Sequence, residues 1–125
     1  MTYVNSIKVG DVNGDEKKEV IAGAMYLMAL NETGSLIWKR GYEEYDFIPD
    51  YTDYNTVSLG DLDNDGVLDI VIGTGSSKHL KAYYGNGSIM WRRNDTKYPI
   101  RSTDIYDIDG DGRNEVLAVQ NFYNS

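Results

Sequence analysis

The sequence predicts an all-β fold, a partial β-propeller of about two and a half four-stranded antiparallel blades. Three observations lead to this prediction: the chain contains three internal repeats, each repeat consists of short apolar strands separated by turn residues, and Gly and Tyr are frequent whereas Pro is rare. The acidic loops of the repeats begin at Asp11, Asp61 and Asp107, so the repeats are spaced by 50 and 46 residues. Repeats of this length are typical of propeller blades.

Each repeat opens with two strands on either side of an acidic loop. The first strand alternates apolar and polar residues, and the second is a short apolar run at residues 20–22, 70–72 or 116–118. The first two repeats continue into an outer hairpin, with strands expected at residues 26–30 and 36–38 and at residues 79–83 and 89–91. Gly34 and Gly87 lie between these strands, as glycine often does in hairpin turns.

The repeats divide the chain into three parts. Residues 1–50 form the first blade repeat with its acidic loop, outer hairpin and linker, residues 51–97 form the second, and residues 98–125 form half of a third, a first hairpin with its loop. A propeller ring needs about four to eight blades to close. We therefore expect the missing blades to come from the parent chain or from other copies of this one.

Composition excludes several classes of function. The chain has 12 Lys and Arg against 20 Asp and Glu, a net charge of −8, which is the reverse of the basic footprint of a nucleic-acid binder. It contains no apolar run of about 18 residues, so no membrane span is expected. Cys is absent, which excludes disulfides, thiolate catalysis and Cys-based zinc sites. With His79 as its single His, the chain has no His-rich catalytic constellation.

The three acidic loops share the pattern D-x-D/N-x-D-x-x-x-D/E, which predicts calcium binding. Oxygens at positions one, three, five and nine converge on one point, and the backbone carbonyl of position seven adds another ligand. Because Ca²⁺ takes about six to eight hard oxygen ligands, a bidentate ninth carboxylate and one water complete the shell. The predicted ligands are Asp11, Asn13, Asp15, Lys17 and Glu19 in loop one, Asp61, Asp63, Asp65, Val67 and Asp69 in loop two, and Asp107, Asp109, Asp111, Arg113 and Glu115 in loop three.

Two other interpretations of the loops are weaker. An EF-hand requires a carboxylate at position twelve and a following helix, but that position is Ala22, Ile72 or Ala118 within apolar runs. Simple turn chemistry explains the Asn-Gly and Asp-Gly dipeptides but not the alignment of the acidic residues in three loops. Crowded carboxylates are costly unless a cation neutralises them. The sequence therefore predicts up to three Ca²⁺ ions.

The loop pattern, followed by an apolar strand that ends in glycine, resembles the FG-GAP/VCBS repeats that build the calcium-binding propeller of integrin alpha subunits. The resemblance implies that the loop joins the first two strands of each blade and that its side-chain oxygens are the ligands. Loop one departs from the pattern, with Asn13 at position three and Glu16 at position six, where the other loops have glycine. Because a left-handed backbone is costly for Glu16, we expect loop one to bind calcium most weakly.

The outer hairpins carry a second resemblance. Residues 29–38 and 82–91 are similar to the Trp-docking hairpins of quinoprotein-type propellers, and the combined pattern is similar to calcium-rich rhamnogalacturonan lyases. This second resemblance implies an alternative function, in which the chain is part of a larger calcium-dependent polysaccharide lyase or a related propeller enzyme. Trp38 and Trp91 are interpreted as blade-to-blade packing residues, since a large aromatic ring buries much apolar area.

The residues favour a structural and adhesive role over an enzymatic one, with a surface presented to a protein or carbohydrate ligand. The millimolar calcium that such loops require indicates an extracellular or cell-surface location, although the first residues show no signal-peptide pattern. The aromatic linker at residues 41–54 is interpreted as covering a seam between blades. Glycosylation sequons occur at Asn31, Asn86 and Asn94, and turn chemistry accounts for the first two.

Overall fold

The computed structural model describes residues 6–23, 26–40, 57–74, 79–93, 98 and 100–120, and in these it contains three antiparallel β-sheets and no helix. The first sheet consists of β1 (Ser6–Gly10), β2 (Glu19–Gly23), β3 (Leu27–Leu30) and β4 (Leu36–Arg40). The second consists of β5 (Val57–Gly60), β6 (Asp69–Gly73), β7 (Leu80–Tyr83) and β8 (Ile89–Arg93), and the third of β9 (Ile100–Tyr106) and β10 (Glu115–Gln120). The all-β prediction is confirmed. In this part of the chain no helix is long and apolar enough to cross a membrane.

Every strand pairs with its neighbour in sequence, so each sheet is a meander. The register places Gly10 opposite Glu19 in the first sheet and Gly60 opposite Asp69 in the second. In each loop, the residue just before position one therefore faces position nine across the strand pair. The same pairing in the third sheet joins Tyr106 to Glu115. Each acidic loop is thus closed at its base by the strands that flank it.

The strands extend beyond the predicted apolar runs by one or more residues in most cases. Pairing of the backbone continues through polar residues, so β4 and β8 reach Arg40 and Arg93. Two predicted strand starts, Tyr26 and His79, lie just outside β3 and β7. The predicted linker at residues 41–54 and the sequon at Asn94 lie outside the described residues.

Two apolar clusters hold the sheets against each other. β6 is buried along its whole length, because the first sheet covers one face of the second sheet and the third sheet covers the other. This explains why β6 is a continuous apolar run rather than an alternating one. The first cluster contains Val12, Ile21, Leu27, Ala29, Trp38, Val57, Ile70, Ile72 and Tyr83. The second contains Val71, Leu80 and Ala82, with Leu62, Met90, Trp91, Ile105 and Val116 packed against it.

Trp38 joins the first sheet to the outer hairpin of the second. Its indole N–H donates a hydrogen bond to the carbonyl oxygen of Gly85 at 2.9 Å. Its ring lies on Gly87, where a Cβ atom would come within 2.9 Å of the ring. The Nε of Arg40 also donates to the carbonyl oxygen of Gly87, at 3.0 Å. The interpretation of Trp38 as an inter-sheet packing residue is confirmed.

The first strands of the three sheets lie side by side, since β5 contacts both β1 and β9. Ser58 donates a hydrogen bond from its Oγ to the carbonyl oxygen of Thr103 at 2.7 Å. Glycine makes this approach possible: a Cβ atom on Gly60 would overlap the side chain of Ile105. Because the acidic loops follow these strands directly, the packing also brings consecutive loops next to each other.

Candidate metal centres

The carboxylate at position one organises each acidic loop from within. In loop two, Asp61 accepts hydrogen bonds from the backbone N–H groups of Asp65 at 3.2 Å and Gly66 at 2.8 Å. The bond to the residue at position six recurs at 2.8 Å in loop one, from Glu16 to Asp11, and in loop three, from Gly112 to Asp107. The loops therefore wrap around their first carboxylate in the same way, although loop one differs in sequence.

The side chains at positions three and five form successive turns. In loop two, Asp63 accepts from the N–H of Asp65 at 3.3 Å, and Asp65 accepts from the N–H of Val67 at 2.9 Å. Asn13 takes the position-three role in loop one, with its Oδ1 accepting from the N–H of Asp15 at 3.0 Å. An amide oxygen thus replaces a carboxylate oxygen without altering the turn.

The carboxylate at position nine closes the base of each loop. Asp69 accepts a hydrogen bond from the N–H of Leu62 at 2.8 Å, and Glu19 and Glu115 accept from the equivalent N–H groups at 2.9 Å. Asp69 and Glu19 are only 2% and 1% exposed. Buried carboxylates at the start of a strand are unusual without a compensating charge, which makes position nine the most informative of the site.

The folding of the loops brings the acidic side chains together. Within each loop, one carboxylate oxygen from each acidic residue at positions one, three, five and nine lies within 4.8 Å of the others. Oxygens about 2.3–2.6 Å from a shared Ca²⁺ ion are at most roughly 5 Å apart, so this spacing fits the ion. The clusters are Asp11, Asp15 and Glu19; Asp61, Asp63, Asp65 and Asp69; and Asp107, Asp109, Asp111 and Glu115. The predicted carbonyl ligands of Lys17, Val67 and Arg113 stay a prediction.

The crowding of negative charge affects the pKa of Asp69 most strongly. Burial, together with the nearby carboxylates of loop two, raises the pKa of Asp69 from 3.8 to about 6. Burial and the neighbouring Asp65 also raise the pKa of Asp63. Like charges held this close favour a proton or a cation between them. All donors are hard oxygens, so the chemistry of the cluster suits Ca²⁺.

The carboxylates at position one behave in the opposite way. The backbone N–H of Gly112 lowers the pKa of Asp107, and further N–H groups of the loop add to the effect. Burial acts against this at Asp11 and Asp61, but their several backbone hydrogen bonds outweigh it, and both pKa values lie below the ordinary value. Hydrogen bonds to the charged form keep these carboxylates ionised, so each loop retains an anionic carboxylate at its centre.

Positions four and six adopt a left-handed backbone in every loop. Glu16 has a φ of 68°, so it adopts the left-handed backbone considered for position six of loop one, whereas Gly66 and Gly112 occupy the equivalent position in the other loops. Asn64 is also left-handed, with a φ of 61°. Asparagine tolerates this conformation better than most residues, so the residue type at position 64 is itself a sequence signal for the turn.

Replacing Glu16 with glycine is expected to stabilise the protein by about 1 kcal/mol, because glycine adopts the left-handed backbone without strain. The change keeps the N–H that donates to Asp11. Thermal unfolding in the presence of chelator measures the effect. Gly66→Ala at the same position of loop two is the matched control and is expected to lower stability by a similar amount. A lower melting temperature for Glu16→Gly contradicts the explanation by strain.

Loops two and three touch each other through Asn114, a residue that the sequence pattern did not single out. The Nδ2 of Asn114 donates a hydrogen bond to the backbone carbonyl of Asp61 at 2.9 Å. Next to it, Arg113 lines a cleft of about 350 Å³ with Asp63 and Asn64. Only the packing of β5 against β9 brings loop three next to loop two. The spacing of residues within a single loop therefore could not predict this contact.

A second cleft, of about 490 Å³, lies between loops one and two and the outer hairpin of the second sheet. Asn13 and Asp65 line it from the loops, and Tyr84 and Asn86 line it from the hairpin turn. Tyr84 is exposed. The cleft therefore combines an aromatic face with amide and carboxylate groups.

The remaining candidate residues have structural roles in the described part of the chain. Asn31 accepts hydrogen bonds from the N–H groups of Thr33 and Ser35, and Asn86 accepts from the N–H of Ser88, so both sequon asparagines build hairpin turns. His79 donates its backbone N–H to the Oγ1 of Thr74 at 2.7 Å.

Comparison with known families identifies part of the chain. Residues 11–72 match the model of the FG-GAP-like repeat, a segment that includes loops one and two. Comparison with curated proteins gave no match.

Proposed function

We propose that this chain, whose residues 11–72 match an FG-GAP-like repeat, is a calcium-binding segment of a β-propeller with a structural and adhesive role. The observation that carries the proposal is the clustering of acidic oxygens within 4.8 Å of one another in three separate loops. The hydrogen bonds that build these loops recur at equivalent positions. Such repetition fits a set of up to three calcium sites better than unrelated acidic turns.

The proposed role of calcium is to clamp the first hairpin of each blade. Each loop connects the two innermost strands of its sheet, and its ninth residue begins the second strand, as Asp69 does in β6. An ion bound to positions one and nine therefore links the end of one strand to the start of the next. The adjacent inner strands β1, β5 and β9 support the propeller, with blades at residues 1–50, 51–97 and 98–125.

The proposed binding surface is the cleft between loops one and two. Its exposed Tyr84 and the amide of Asn86 suit the apolar faces and hydroxyl groups of a carbohydrate, or a polar protein surface. A calcium ion in loop two would lie at the wall of this cleft, beside Asp65. An extracellular or cell-surface location, where calcium is abundant, belongs to the same proposal. A glycan array probed with and without calcium tests it.

A polysaccharide lyase is the second candidate function. One observation favours it: Tyr84 and Arg113 each lie in a cleft beside the acidic residues of loop two. A base and a cation next to a metal are what proton abstraction from a uronide requires. Formation of unsaturated uronide products by the protein with calcium supports this candidate, and intact polyuronide after prolonged incubation contradicts it for this chain.

Loop one is expected to fill last in a calcium titration. It offers three carboxylates and the neutral Asn13, whereas loops two and three each offer four carboxylates. Affinity rises with ligand charge and with preorganisation of the loop, which the left-handed Glu16 reduces. NMR chemical-shift changes of the loop amides during titration resolve the three sites.

Alanine substitutions test the same order independently. Asp65→Ala and Asp111→Ala each remove a charged ligand and a turn-forming acceptor, so they are expected to weaken calcium binding by about tenfold or more. Asn13→Ala removes only a neutral oxygen and is the matched comparison. If loop one fills first, or if Asn13→Ala causes the largest loss, the proposed ranking is wrong.

A further inference from the structure

The turn at Asn13 and Gly14 in loop one brings together three groups whose chemistry is complementary. Asn-Gly occurs twice in the chain, at residues 13–14 and 86–87. The backbone N–H of Gly14 donates a hydrogen bond to the Oδ1 of Asp11 at 2.7 Å. The Oδ1 of Asn13 accepts from the backbone N–H of Asp15 at 3.0 Å. This second bond bends the side-chain amide of Asn13 back toward the backbone nitrogen of Gly14.

Each of these groups suits one part of an intramolecular acyl transfer. Glycine leaves its backbone nitrogen open, because it has no side chain to block the approach. The Asp11 carboxylate contacts the proton on that nitrogen, which is the geometry of a general base. The N–H of Asp15 holds the oxygen on which negative charge develops during attack, as a donor in an oxyanion hole does. The acyl group is the side-chain amide of Asn13, a thermolabile residue type.

We propose that loop one deamidates Asn13 autocatalytically, with Asp11 as the general base. The Gly14 nitrogen attacks the side-chain carbonyl carbon of Asn13 and forms a carbon–nitrogen bond, while Asp11 takes the proton. Asp11 then passes this proton to the side-chain nitrogen, whose bond to carbon breaks, so that ammonia leaves and a cyclic succinimide forms. Water, which reaches these exposed residues, opens either imide bond and gives aspartate or isoaspartate at position 13. The net reaction consumes water and releases ammonia, with no oxidation or reduction.

Loop three shows that the same turn accommodates the aspartate product. Asp109 occupies the position of Asn13, and its Oδ1 accepts from the N–H at position five at 3.2 Å. The next residue, Gly110, donates to Asp107 at 2.9 Å, as in loop one. Conversion to aspartate therefore gives loop one the same four carboxylates as the other loops. Any gain in calcium affinity rests on the proposed function, whereas the deamidation itself does not.

The second Asn-Gly dipeptide has a similar turn without the carboxylate. The Oδ1 of Asn86 accepts from the N–H of Ser88 at 2.9 Å, as the Oδ1 of the first dipeptide does from the corresponding N–H. The N–H of Gly87, however, donates to the backbone carbonyl of Tyr84 at 2.9 Å, and a neutral carbonyl is a far weaker base than a carboxylate. The ring of Trp38 also covers Gly87. Asn86 is therefore an internal reference within the same molecule.

Incubation of the full chain at neutral pH, followed by peptide mass spectrometry, measures both reactions in one sample. Chelator makes the result independent of the proposed calcium sites, and water enriched in heavy oxygen labels the products formed during incubation. We expect Asn13 to react about tenfold faster than Asn86 in the folded protein. In urea, where both turns are lost, the two rates are expected to converge. A rate at Asn13 that is equal to or below the rate at Asn86, or a ratio that urea leaves unchanged, overturns the proposal.

Two variants separate the base from the packing of the turn. Asp11→Asn keeps an oxygen that accepts from the N–H of Gly14 but removes the base, so the reaction of Asn13 is expected to slow about tenfold while that of Asn86 is unchanged. Glu16→Gln removes an exposed charge from the same loop and is expected to change neither rate. An unchanged rate at Asn13 with Asp11→Asn, or equal slowing by both variants, overturns the proposal. If a changed rate at Asn86 shows that Asp11→Asn unfolds the protein, the comparison of the folded and urea-treated parent decides.

Discussion

Calcium at millimolar concentration is expected to raise the melting temperature of the protein strongly relative to chelator. Ligands that bind only the native state add stability by mass action, about 2.7 kcal/mol per site at one hundred times the dissociation constant. Three Ca²⁺ ions would also reduce the formal net charge from −8 to −2, which relieves repulsion among the acidic loops. Filling all three sites is therefore the largest single change in stability that the structure predicts.

Differential scanning calorimetry in chelator and in calcium measures this effect. Sodium chloride at matched ionic strength is the control for general screening, which acts on all exposed charges at once. Magnesium is the control for ion size, because it requires a smaller octahedral shell and keeps its waters. We expect a much larger shift with calcium than with either control. Equal melting temperatures in calcium and in chelator would show that the loops are not calcium sites.

Replacing Asp69 with asparagine is expected to separate metal binding from folding. The amide oxygen of the substituted side chain retains an acceptor for the N–H of Leu62, while the charge of the proposed ligand at position nine of loop two is lost. The calcium-dependent gain in stability is therefore expected to fall by roughly one site, about 2–3 kcal/mol. In chelator, stability is expected to rise by on the order of 1 kcal/mol, because a buried charge beside three other carboxylates is removed.

The pH dependence gives this prediction a definite sign. The pKa of Asp69 is about 6 in the metal-free fold against an ordinary value of 3.8, so the native state holds the proton more tightly than the unfolded chain. Its contribution to stability is fully present below pH 3.8 and is lost as the pH rises to about 6. In chelator, the Asp69→Asn protein is expected to gain relative to the parent protein across this window and to keep a constant advantage above it.

Asp104→Asn is the matched control for loss of one negative charge. Asp104 is exposed on β9, outside the acidic loops, and its Oδ1 accepts from the N–H of Ile105 at 2.8 Å. We expect Asp104→Asn to change neither the stability gained on adding calcium nor the dependence of stability on pH between 3.8 and about 6. Similar behaviour of the two variants would mean that general charge, rather than a site in loop two, explains the result.

The sequence predicted the strands and loops well because these elements depend on short-range patterns. The apolar run at residues 70–72 appears within β6, and the alternating residues before Asp61 appear within β5. The spacing of acidic residues in loop two brought all four carboxylates together, as expected from oxygens on alternate residues of a tight turn. Glu16 is left-handed as predicted, because loop conformation is a local property.

The sequence predicted the ends of the strands and the hydrogen bonds within the loops less well than it predicted the existence of these elements. β4 and β8 continue to Arg40 and Arg93, because cross-strand hydrogen bonds extend pairing beyond the apolar residues. The backbone hydrogen bond that ties Asp69 to Leu62 was also missed. This hydrogen bond depends on the register between β5 and β6. The register places Asp69, at position nine, opposite Gly60, just before the loop begins.

By itself, the sequence determined three acidic loops, each between two strands, and the outer hairpins that carry Trp38 and Trp91. Only the tertiary structure decided which surfaces meet. It placed Trp38 under a turn 47 residues away and left Trp91 half-buried. It also joined Asn114 of the third repeat to the backbone of Asp61 in the second repeat by a hydrogen bond. The physical reason is that turns and strand pairing within a meander follow from neighbours in sequence, whereas packing between sheets depends on the fit of side chains far apart in the chain.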